Sequence, residues 1–129
     1  MKNNLFSLLT HPIIQILSFN WILVGSPYFG GPYLFFVVGA ATQFEWFAVL
    51  GVAGVFLLAV CVFLKNWLLQ IAGSICCLSS IAIFFFNSSY ENALITLGDW
   101  LALLTLVFFV LIHTLTLYKL FRWKNYSNY

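Results

Sequence analysis

The chain has 129 residues, of which 64% are hydrophobic and only 6% charged, with a formal net charge of +2. A soluble domain of this size could not bury so much apolar surface, because ordinary globular chains are about 25% charged and small folds leave much of their chain facing water. The composition excludes a soluble globular domain. The small positive charge gives no footing for nucleic acid, and three cysteines set inside apolar stretches do not make a secreted disulfide framework. The bilayer is the solvent that resolves the conflict, and the length is that of one domain.

A spanning helix needs about 20 mostly apolar residues. In chain order, four stretches meet or approach this: 5–24, 46–64, 67–86 and 97–118. The first follows Lys2 and resembles a signal peptide. However, His11, Pro12 and Gln15 interrupt it and no A-x-A-like site follows, so it is read as a retained span. Residues 25–32 are dense in glycine and proline and must stop that helix. Residues 33–43 are apolar but would reach only about 16 Å as a helix, too short to cross. They are expected to form an interfacial helix, a re-entrant piece or an extension of the second span. Lys65 and Asn66 alone separate spans two and three, which forces an antiparallel hairpin. A longer polar loop, 87–96, leads to the last span.

With the N-terminus inside, Lys2, Lys65, Lys119, Arg122 and Lys124 all fall on the cytoplasmic side, and Glu45, Glu91 and Asp99 all fall outside. Each tryptophan (Trp21, Trp46, Trp67, Trp100 and Trp123) lies at or near a span end, where its ring can be apolar and its N–H wet. The expected fold is an all-α integral membrane protein with four transmembrane helices, N-in and C-in, forming a single domain. Its expected location is a membrane, crossed several times, and the inner (plasma) membrane if the chain is bacterial.

Lipid tails are as apolar as leucine, so helix association depends on close approach at small residues. Gly51 and Gly54 on span two and Gly73, Cys77 and Ser80 on span three are the expected packing faces. Cys76 and Cys77 point about 100° apart on a helix, a poor disulfide or metal pair, and read as small packing residues.

Ionisable groups inside a membrane are functional suspects. His11 and His113 lie at matching depth, each about 9 Å along its helix from the cytoplasmic end. If spans one and four are neighbours, the pair could hold haem iron, a pigment or a metal, or pass a proton. Ser7, His11, Gln15 and Ser18 form one polar stripe on span one. The bland alternative is that these groups hydrogen-bond between helices. Outside, Tyr28, Phe29 and Tyr33 sit among glycines and prolines as candidates for contact with a partner. Gly30-Gly31 is followed by no Lys-Ser/Thr and is no phosphate loop. There is no Ser-His-Asp set and no buried carboxylate pair, so catalysis is poorly served.

Three readings remain. The first is a structural or accessory subunit of a larger membrane complex, with the lipid bilayer and other membrane subunits as partners and no cofactor. The second is a small transporter or channel, acting as a homo-oligomer, whose path would use the polar stripe of span one. The third is a haem- or pigment-binding electron-transfer subunit using His11 and His113.

Overall fold

The computed structural model describes residues 2–24, 31–87 and 95–127. The helices are α1 (Lys2–Leu9), α2 (Pro12–Asn20), α3 (Tyr33–Ala41), α4 (Trp46–Leu64), α5 (Trp67–Asn87) and α6 (Trp100–Ser127). Two short strands, β1 (Leu23–Val24) and β2 (Gly31–Pro32), pair antiparallel between α2 and α3. Among the described residues three helices are long and apolar enough to cross a membrane: α4, α5 and the Trp100–Arg122 part of α6.

The first expected span is not one helix. Its residues form α1 and α2, of 8 and 9 residues, separated by Thr10 and His11. The cause is Pro12. Its ring removes a backbone N–H, and it disfavours helical geometry in the residue before it. His11 is accordingly extended, with φ −75° and ψ 138°, while Pro12 occupies the first turn of α2, where its fixed φ suits a helix start. The His11 ring caps the new helix, its Nδ1 accepting the Ile13 N–H at 3.3 Å.

Residues 33–43 do not extend the second span. α3 is a separate helix of 9 residues, about 14 Å long. It is cut from α4 by a left-handed Phe44 (φ 58°) and an extended Glu45. Its start is fixed from the residue before β1: Tyr33 N–H donates to Ile22 O at 2.7 Å, continuing the β1–β2 pairing. α4 and α5 are joined by the expected short link. Lys65 adopts the left-handed conformation (φ 49°, ψ 35°) and donates its N–H to Cys61 O. Asn66 Oδ1 accepts the Leu68 N–H at 3.0 Å. Asp99 Oδ1 accepts the Leu101 N–H at 3.1 Å, an N-cap for α6 in which the charge also suits the helix dipole.

The core lies where α2, α3, α4, α5 and α6 converge. Phe19, Tyr33, Val37, Ala48, Leu58 and Phe109 are fully buried. Rings meet edge to face there, Phe19 with Tyr33 at 5.3 Å and Tyr33 with Phe84 at 5.2 Å, the arrangement ring quadrupoles favour. The outward side of α6 is apolar, with Leu104, Val107, Phe108 and Leu111 all exposed. An uninterrupted apolar exterior of this kind suits lipid contact. Trp46 and Trp100, the first residues of α4 and α6, are 75% and 72% exposed.

α4 and α5 touch at the backbone. A Cβ built on Gly54 would lie 2.7 Å from Cys77 Sγ and 2.9 Å from the Cys77 amide, and one on Gly73 would lie 3.1 Å from Gly54 O. A Cβ on Gly51 would meet Ser80 Oγ at 2.9 Å. Gly54→Ala should therefore push the helices apart and cost about 1–3 kcal/mol, the usual cost of overpacking. Gly39→Ala, in α3 with nothing within 4 Å of its added Cβ, should be neutral or slightly stabilising. Thermal unfolding of the two variants in detergent checks this pair of outcomes.

Candidate functional site

The break between α1 and α2 leaves backbone groups without helical partners. Ile14 and Gln15 both donate their N–H groups to His11 O. The Thr10 carbonyl therefore has no intrahelical donor of its own. α5 answers it: Gln70 Nε2 donates to Thr10 O at 2.8 Å. The same amide nitrogen donates its second hydrogen to Gln15 Oε1 at 3.0 Å. Gln15 Nε2 donates to Ser74 Oγ at 2.7 Å, and Ser74 Oγ donates back to Gln70 O at 2.8 Å. The ring of bonds closes on itself, and Gln15 and Ser74 are fully buried. Thr10 Oγ1 donates to Phe6 O at 2.9 Å, closing the end of α1, and accepts Lys119 Nζ of α6 at 2.8 Å. One cluster thus ties α1, α2, α5 and α6 together.

Below this cluster is a cavity of about 680 Å³. Its walls come from α1 and the break (Phe6, His11, Pro12), from the α4–α5 link (Lys65, Asn66, Trp67), and from α6 (Tyr118, Lys119, Arg122). None of its described lining residues is a carboxylate. The Lys119 ammonium also lies 5.8 Å from the centre of the Phe6 ring.

The two histidines have different surroundings. His11 is exposed, caps α2 and lines the cavity. His113 is fully buried on α6 and is not among the cavity's lining residues. Its ring packs 4.2 Å from that of Phe109, and its Nδ1–H donates to Phe109 O at 3.1 Å. Among the described residues its Nε2 is buried without a hydrogen-bond partner. That nitrogen is enclosed by protein among the described residues. No group of three or more His, Cys, Asp or Glu that could hold a metal occurs among the described residues.

The polar stripe of the first segment is divided by the break. Gln15 and Ser18 are buried, Ser18 Oγ donating to Gln15 O, whereas Ser7 and His11 are exposed. Tyr33, expected outside as a partner contact, is instead fully buried. Its place in the first turn of α3, directly after the β1–β2 pairing, aims it between the helices. There its hydroxyl meets Ser80 Oγ at 2.9 Å, and Ser80 Oγ donates to Phe47 O at 2.6 Å. Tyr28 and Phe29 lie outside the described residues. Ser80 and Cys77 sit against Gly51 and Gly54 at the α4–α5 contact.

Sequence reasoning passed over Gln70, Ser74, Thr10 and Lys119 as cluster members. The available signal was the polar pair Gln70 and Ser74, four residues apart in an otherwise apolar helix. Gln70→Leu should strand both the Thr10 carbonyl and Gln15 Oε1. An unsatisfied buried group costs about 1–3 kcal/mol, so the variant should unfold about 1–3 kcal/mol more easily in a detergent denaturation series.

Neither a protein-family model, a curated protein nor a solved structure matches the chain. What it does is therefore inferred from its own residues.

Proposed function

We propose that the chain is a four-pass membrane protein, N-in and C-in, acting as a structural or accessory subunit of a larger membrane complex. Three passes are α4, α5 and α6, and the fourth is the broken segment of α1 and α2. Sidedness is supported by the charges. Lys65, Lys119 and Arg122 gather around one cavity. Glu45 and Asp99 stand at the starts of α4 and α6, helices whose far ends reach that cavity. The 19 residues of α4 separate Glu45 from Lys65 by about 28 Å, close to the thickness of a hydrocarbon core.

The observation that favours a structural role over a transporter is the state of the polar stripe. Gln15 and Ser18, which would line a path, are spent on hydrogen bonds inside the bundle. The apolar outer face of α6 is suited to lipid or to another membrane subunit.

Gentle detergent extraction tests this reading. The chain should co-migrate in fixed ratio with other membrane polypeptides and carry no visible chromophore. A symmetric homo-oligomer that conducts solute in liposomes supports the transporter reading instead, and a Soret band supports the electron-transfer one. For sidedness, a membrane-impermeant thiol reagent should label Lys65→Cys, in a background lacking the native cysteines, only from the cytoplasmic face. Labelling from outside overturns the topology.

A further inference from the structure

We propose that the cavity at the α1–α2 break binds an anionic phospholipid, its phosphate held by Lys65 and Lys119 and an acyl chain laid along the apolar wall. The proposal rests on the membrane reading, but not on the accessory role or on which face is cytoplasmic.

The charge balance of the cavity is the first support. Lys65 and Lys119 line it, and none of its described lining residues is a carboxylate. Cations beside a hydrocarbon core are costly unless paired, and the groups that meet Lys119 here are a neutral hydroxyl, Thr10 Oγ1, and the face of Phe6. A lysine ammonium has three N–H donors, so Lys119 can hold Thr10 and still donate to an anion. Lys65 reaches the same space from the α4–α5 link with an exposed side chain. The His11 ring accepts the Ile13 N–H at Nδ1, which leaves Nε2 as the N–H donor of the neutral ring at the cavity wall.

The second support is the shape and chemistry of the walls. At about 680 Å³ the cavity lies within the usual range for small-molecule sites. Phe6, Pro12, Val62 and Leu120 give it an apolar side, and Trp67 and Tyr118 are of the type that settles at headgroup depth. Basic pockets between transmembrane helices recognise phosphate headgroups in this way. A free phosphate would use the cations alone, whereas a phospholipid uses both surfaces.

The test is binding to the purified full chain in non-ionic detergent, read by native mass spectrometry. The probes are phosphatidylglycerol, phosphatidylcholine and inorganic phosphate. Phosphatidylglycerol should bind about tenfold more tightly than phosphatidylcholine, and inorganic phosphate at equal concentration should not displace it. Lys65→Gln and Lys119→Gln should each weaken it about fivefold and together about twentyfold, as expected for one surface cation each. Lys65→Arg and Lys119→Arg should retain it. Lys119→Gln also removes the bond to Thr10, so if it fails to fold, Lys65→Gln, on an exposed side chain, carries the test alone. Equal binding of the two lipids, or unchanged binding after Lys65→Gln, overturns the proposal. Inorganic phosphate bound as tightly as the lipid overturns it in favour of a free-phosphate site.

Discussion

Pro12 imposes the constraint on which the rest of the bundle depends. Thr10 is buried, and a buried backbone carbonyl left without a hydrogen bond is costly. By ending α1 and restarting the helix, Pro12 takes away the partner that Thr10 O would have in a continuous helix. Gln70 of α5 supplies one at 2.8 Å. Everything near that bond follows from it. The second hydrogen of the Gln70 amide goes to Gln15 Oε1, and Gln15 is in turn anchored by Ser74. A broken helix is thereby registered against α5, and through Thr10 and Lys119 against α6.

The opposite half of the bundle solves a different problem with different chemistry. There α3 is too short to span and is held between longer helices by its first residue. Tyr33 brings a large ring to the Phe19–Phe84 cluster and a hydroxyl to Ser80. Ser80 can lie so close to α4 only because Gly51 presents no side chain to it. Close packing at Gly51, Gly54 and Gly73 and hydrogen bonding at Ser80 are therefore one arrangement. Such cross-helix hydrogen bonds contribute about 0.6 kcal/mol on average within membranes, so the pairing of α4 with α5 leans on contact along the glycines.

Much of this was legible in the sequence, for a simple reason. A run of about 20 apolar residues is a one-dimensional signal, and α4, α5 and α6 carry it. The small faces of α4 and α5 also follow from helical periodicity. The first segment is harder, since a proline inside an apolar run marks either a kink or a full break. What decides is whether another helix can satisfy the freed carbonyl. Here that helix lies 60 residues further along the chain, beyond any local pattern. The burial of Tyr33 is not legible in the sequence for a related reason. Neighbouring glycines and prolines gave it the look of a surface residue, but the β1–β2 pairing turns it inward. The matching depths of His11 and His113 counted residues along unbroken helices, and the break at Thr10 and His11 gives His11 the separate task of capping α2.

A double-mutant cycle on Pro12 and Gln70 tests the central claim most directly. In the native background Gln70→Leu removes the only side chain bonded to the Thr10 carbonyl among the described residues. With Pro12→Ala the first segment can run on as a helix, in which the Ile14 N–H, now bonded to His11 O, becomes the backbone donor to that carbonyl. The stability lost on Gln70→Leu should then shrink by about 1 kcal/mol or more in the Pro12→Ala background, the size of coupling seen between contacting groups. An equal loss in both backgrounds would contradict the claim that Gln70 serves the carbonyl that Pro12 sets free.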